Sequence, residues 1–375
     1  MNNRIKKLIT ETVIPKVIKD LMQGFVYEFN DQDSEAWYDE VSETSSDYHC
    51  KELLKSGNCD FDNPSGTALT SGELMSLYNY YYFPIEFQSS YWLYNYLFKN
   101  GAKENVINKS FPIFIDINCK TGASFHAFNL LYFEISDNLE NSKLFKRQNI
   151  ELKRILNLAI DNSIRVIRKH AKDYYPGSSN LLYLIEKYTL FEYGFIQIDS
   201  GGDGYWTNQL NTYTQICLND ISQTINDFIE NKGCLTEGKS EYPCWRDDNN
   251  EYIRSDNKAL SYFVEKFEYP IIINLSYIFS QFKIDLQELL NFIIKLVLKF
   301  NNSDIIIIYQ GIDFKNNNDL WDYLKAGLPL MSIYNGIAPF KAIGAKKIKF
   351  EVLYKSKFDD ILRNYDLNFK KRQMR

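Results

Sequence analysis

Residues 111–122 read Phe-Pro-Ile-Phe-Ile-Asp-Ile-Asn-Cys-Lys-Thr-Gly. The apolar run Phe111–Ile117 predicts a buried strand. Asn118 and Gly122 then mark a tight exit loop. Glycine takes positive φ without penalty, and asparagine is the best substitute for it there. In a doubly wound sheet, ligands bind beyond the carboxyl ends of the strands. The exit loop Asp116–Gly122 is therefore the first place to look for chemistry.

Working outward, Leu130–Ile135 predicts a second strand. Residues 139–172 predict a helix, with Leu144, Leu152, Ile155, Leu156, Ile160, Ile164 and Ile167 recurring near helical spacing. Phe195–Asp199 predicts a short strand ahead of the turn Ser200–Gly204. Leu218–Glu230 predicts a helix, and 231–257 a polar loop. The last third predicts a strand at Pro270–Asn274, a helix at Leu286–Phe300 and a buried strand at Asp304–Tyr309. A short helix at Asn318–Lys325 and a terminal strand at Lys347–Tyr354 complete it. Alternating strands and helices argue for an α/β sheet.

Upstream, residues 1–27 carry apolar positions at helical spacing, interrupted by Pro15. Acids dominate from Glu28 to Asp62, the pattern of a solvated loop or helix face, of a mimic of nucleic-acid charge or of a dock for a basic partner. Thr70 followed by Glu73 has the spacing of a capping box. An aromatic helix is expected over Gln88–Lys99. Residues 1–105 thus read as an N-terminal helical cap, 106–355 as an α/β domain with an insertion at about 178–268, and 356–375 as a basic tail.

Composition excludes several classes. The chain has 375 residues, 45% of them apolar and 16% aromatic, so it can bury a core rather than remain disordered. The longest apolar runs fall short of the roughly 18 residues that a membrane span needs. No apolar stretch with a cleavage site follows the basic opening MNNRIKK, so no secretory signal is expected. The six cysteines form no C-x-x-C pair, and there are only three histidines. Reduced thiols in a cytoplasmic protein are the expectation, with no metal centre.

The loop Asp116-Ile117-Asn118-Cys119-Lys120-Thr121-Gly122 resembles the D-x-G-x-G-x-G loop of class I S-adenosylmethionine-dependent methyltransferases. The acid and the last glycine match; Asn118 and Lys120 stand at the first two glycines. The long Lys120 side chain would sit where the methionine end of the cofactor passes. The resemblance implies a doubly wound, mostly parallel seven-stranded sheet. It implies S-adenosylmethionine bound at Asp116, Asn118, Lys120, Thr121 and Gly122. It also implies an acid at the end of the second strand on the ribose hydroxyls, for which Glu134 is the candidate and Asp137 the alternative. Asn274 and Tyr277, in Asn-Leu-Ser-Tyr, match the ends of the N-P-P-Y tetrad of amino-group methyltransferases and would face the acceptor. Two functions follow: a methyltransferase acting on an unidentified acceptor, or a catalytically inactive relative that binds protein or nucleic acid.

Two other features compete. Ser200–Trp206 offers Asp203 and a stackable Trp206, or simply a glycine-rich hairpin turn. Lys143, Lys146, Arg147, Lys153, Arg154, Arg165, Arg168, Lys169 and Lys172 would give helix 139–172 a basic face, joined by the tail Lys370–Arg375. That face suggests a nucleic-acid or protein partner, or a solvated helix surface; the net charge of −5 favours the second.

Overall fold

The computed structural model describes residues 16–42, 47–57, 59, 61, 66–100, 112–140, 153–161, 189–197, 221–223, 225–226, 269–280, 286–341 and 347–356. Within them lies one seven-stranded sheet of order β3-β2-β1-β4-β5-β7-β6. The strands are β1 (Ile113–Ile117), β2 (Lys153–Asp161), β3 (Thr189–Gln197), β4 (Ile271–Ser276), β5 (Ile305–Ile312), β6 (Met331–Lys341) and β7 (Lys347–Lys355). The first five pair in parallel. Strand β7 runs against both β5 and β6. The chain steps outward from β1 to β3, then returns to start β4 on the other side of β1. The strand order therefore reverses between β1 and β4, which puts a crevice at their carboxyl ends.

The helices are α1 (Lys16–Asn30), α2 (Glu35–Trp37), α3 (Asp47–Leu53), α4 (Ser71–Tyr81), α5 (Phe83–Asn100), α6 (Ala123–Glu140), α7 (Leu286–Lys299) and α8 (Lys315–Gly327). Alternation along the strands sorts them into two layers. Phe114, Ile272, Ile306 and Ile308 share one apolar cluster with Phe25, Leu77, Phe87 and Tyr94 of the N-terminal helices and with Phe128 of α6. Ile113, Ile115, Ile271, Ile273, Ile305 and Ile307 face the opposite layer, with Leu289 and Ile293 of α7 and Trp321 of α8. Parallel strands covered on both faces explain the nearly unbroken isoleucine runs.

Two expectations are corrected. Leu130–Ile135 is not a strand; it lies inside α6. The helix expected over 139–172 does not form as one element, because Lys153–Asp161 is strand β2 between β1 and β3. Both stretches are short apolar runs, which fit a buried strand and a buried helix equally well. Strand β3 falls inside the stretch read as an insertion, and it is part of the sheet. Strand β6 was not foreseen. The predicted turn Ser200–Gly204, Trp206, the polar loop 231–257 and the tail lie outside the described residues.

Candidate functional site

The exit loop of β1 has an unusual backbone. Asn118, Lys120 and Gly122 have φ of 62°, 50° and 80°. These are the three alternate positions that carry glycine in the motif the loop resembles. Left-handed φ costs an L-residue roughly 1–2 kcal/mol, and asparagine bears it best. The loop closes on itself through Gly122 N–H to the Cys119 carbonyl, at 2.8 Å, and α6 begins directly after it. A Cβ on Gly122 would overlap the Phe125 ring, so that position admits only glycine.

The polar residues beside this loop lie on one face of the sheet. Asp116, Asn274, Ser276 and Gln310 alternate with the isoleucines of β1, β4 and β5 that point to the other layer. Asn274 is the centre of the group. Its Nδ2 donates to Asp116 Oδ1 at 2.7 Å. Its Oδ1 accepts from Ser276 Oγ at 2.7 Å and from Tyr94 Oη at 3.1 Å. The structure therefore brings Asp116 and Asn274 together, but in contact with each other. Asn274 is fully buried within β4, two residues short of the strand end.

Helix α5 covers this polar group. Glu86, Ser89, Ser90 and Tyr94 recur at helical spacing and so share one face. Ser89 Oγ lies 2.8 Å from Tyr277 Oη. Ser90 Oγ lies 3.1 Å from Ser124 Oγ of α6 and accepts from Gln310 Nε2. Tyr94 reaches Asn274. Glu86 Oε1 accepts from Tyr78 Oη at 2.8 Å. The Lys120 ammonium is near enough to draw the Glu86 proton affinity down, yet burial dominates and pushes that carboxyl up to about 7. Burial likewise raises the Tyr94 and Tyr277 phenols, so both stay protonated at neutral pH.

Asp116, Lys120, Thr121 and Asn274 are each more than nine-tenths buried; Lys120, the least expected of them, is 5% exposed. The Thr121 hydroxyl is buried and has no hydrogen-bond partner among the described residues. Tyr277 is half-buried just past β4, with φ of 56°.

Glu134 is not at the end of a strand. It lies well inside α6, and Asp137 lies one turn further along the same helix. The acid that ends the second strand is Asp161. Its signal was the acid closing the apolar run Ile155–Ile160, hidden by reading that run as helix. The α5 stripe was also missed, although four polar positions at 86, 89, 90 and 94 in an aromatic helix were visible. Burial among Phe83 and Phe125 drops the His126 pKa to about 3, so it is neutral.

Among the described residues no cluster of His, Cys, Asp and Glu could hold a metal. No helix there is long and apolar enough to cross a membrane. Cys50, Cys59 and Cys119 are buried, and no disulfide joins them among the described residues.

No family model matches this chain, and no curated protein matches it. Among solved structures it matches the crystal structure of a "putative RNA methyltransferase" from Pyrococcus horikoshii. The two are 10% identical, the alignment covers 82% of this chain and 98% of that one, and the TM-score is 0.28. At that score the likeness carries nothing about activity.

Proposed function

We propose that this chain is a methyltransferase-like module that no longer binds S-adenosylmethionine and acts as a binding scaffold. The observation that carries this reading is the filled crevice. Where a cofactor would lie over the β1 loop and the end of β4, the α5 side chains Ser89, Ser90 and Tyr94 make the hydrogen bonds. Lys120 adds a second obstacle. Its aminobutyl chain occupies protein interior at a position where a glycine would leave room. Its ammonium would also repel the sulfonium of the cofactor. Methyl transfer relies on positioning the acceptor in line with that sulfonium, so a filled crevice removes the catalytic power as well as the affinity.

Calorimetric titration with S-adenosylmethionine and S-adenosylhomocysteine tests the reading. No heat at millimolar ligand is the expected result. Saturable binding by either one would overturn it. A partner that is nucleic acid would use the lysines and arginines between Lys143 and Lys172, and a salt-sensitive gel shift tests that part.

A second reading, an active methyltransferase, is favoured by the loop backbone. Left-handed backbone at Asn118 and Lys120 is costly to keep, and with Gly122 it suits a ligand approaching the peptide planes. On that reading Asp161 holds the ribose and Tyr277 faces the acceptor, and α5 must move aside.

A further inference from the structure

The β6–β7 hairpin gathers lysines at the end of the sheet where the parallel strands finish. Ile312 closes β5 opposite Ile348 of β7, so Lys347 and Lys349 flank that end. Ile348 joins Ile312 and Ala338 in an apolar cluster with Ile85 and Trp92 of α5. Alternation along β7 therefore turns Lys347 and Lys349 to the opposite face, on which Glu351 meets Trp321 and Lys325 of α8. Lys347 is exposed and Lys349 half-buried. They lie two residues apart on one strand, roughly 7 Å between Cα atoms. Lys341 ends β6 opposite Lys347 in the register.

The link from β5 to α8 joins this group. The Asp313 N–H donates to the Lys347 carbonyl at 2.8 Å. Phe314 follows, 58% exposed, and then Lys315, also exposed. Ile337 is paired with Lys349 and is 44% exposed, an apolar border to the same face.

No carboxylate balances these charges. Among the described residues Lys315, Lys347 and Lys349 form no ion pair, whereas Lys325 is held by Asp322 and Glu351. Asp313 Oδ1 accepts from the Asn318 amide at 2.9 Å. Lysines side by side repel, and like charges opposite one another on neighbouring strands destabilise a sheet unless a counter-charge is supplied. The chain carries a net charge of −5, so this cluster stands against its overall balance. Lysines alone would suit any anion. The exposed Phe314 ring beside them favours one that carries flat faces as well as charge.

We propose that this face of the β6–β7 hairpin, with the start of α8, binds single-stranded nucleic acid. Lys315, Lys347 and Lys349 contact phosphates, and a base stacks on Phe314. The surface lies at the same end of the sheet as the Asp116–Gly122 loop and is separate in sequence from the lysines and arginines between Lys143 and Lys172. It names a partner for the scaffold reading, but it does not depend on whether S-adenosylmethionine binds.

Fluorescence anisotropy of the full chain with labelled oligo-dT and oligo-U of about 16 nucleotides tests the proposal. Both should bind, and binding should weaken from about 50 to 200 mM salt. Lys347→Gln combined with Lys349→Gln should make the slope of log affinity against log salt shallower by about 1.4, two phosphate contacts' worth on a single strand. The corresponding double arginine variant should keep the wild-type slope. Phe314→Ala should bind about tenfold more weakly with the slope unchanged, because stacking releases no counterion. Thermal melts of each variant separate these effects from loss of fold. No binding of either oligonucleotide would overturn the proposal. So would an unchanged slope in the double glutamine variant, or wild-type affinity in Phe314→Ala. Displacement by poly-glutamate as effective as by unlabelled oligonucleotide would assign the surface to an acidic protein instead and would also overturn it. A heat of S-adenosylmethionine binding would overturn the scaffold reading alone.

Discussion

Asn118 and Lys120 both hold left-handed backbone, and they are not equivalent there. Asparagine bonds to its own neighbourhood and tolerates that region; alanine does not. Asn118→Ala should lower stability by about 1 kcal/mol, and Asn118→Gly should not. Urea midpoints separate the two. Gly122→Ala should cost more than either, because its Cβ meets the Phe125 ring as well as strained φ. Asn118 and Gly122 were legible in the sequence because their residue types favour positive φ; Lys120 shares that backbone by its place in the loop and not by its type. The role of Asn274 was not legible, because it depends on which element lies opposite. Asn274 looked like an acceptor contact and proves to be tied to Asp116.

At the scale of elements, local chemistry was readable wherever it is local. Thr70 accepts from the Glu73 N–H, and Glu73 Oε2 accepts from the Thr70 N–H at 2.7 Å, so the capping box starts α4 as its spacing implies. Ser34 and the Thr70 hydroxyl also donate to that carboxylate. Their hydrogen bonds hold the Glu73 carboxyl below its usual range against the opposing effect of burial. Thr70→Ala should therefore destabilise by about 1 kcal/mol in denaturant melts, and Thr70→Ser by much less. Helix and strand were exchanged between α6 and β2 for a different reason. Both are short apolar runs, which periodicity alone does not assign to strand or helix. Strand β6 escaped notice because it is an edge. Gly336 and Pro339, two register shifts and exposed residues such as Met331 and Ile337 hide its alternation.

Across the whole molecule, the N-terminal helices and the sheet share a core, and the polar group around Asn274 is the exception within it. A buried network is costly to break in part. Asn274→Ala deprives Asp116 of its amide donor and Tyr94 of its acceptor, and it should cost about 3 kcal/mol or more. Tyr94→Phe removes one of the two donors to Asn274 Oδ1 and should cost about 1 kcal/mol. No loss in thermal melts of Tyr94→Phe would mean that α5 and the sheet are not coupled through this residue. The sequence foretold that Lys120 would crowd the loop. That a helix from the N-terminal layer would join it there follows from tertiary packing, which no motif encodes.

The filled crevice is tested most directly by a crystal structure grown with millimolar S-adenosylhomocysteine. The hydrogen bonds of Tyr94 to Asn274 and of Ser89 to Tyr277 should be intact, with no ligand density over Asn118–Gly122. An adenosyl group seated on that loop, with α5 displaced, would contradict the account.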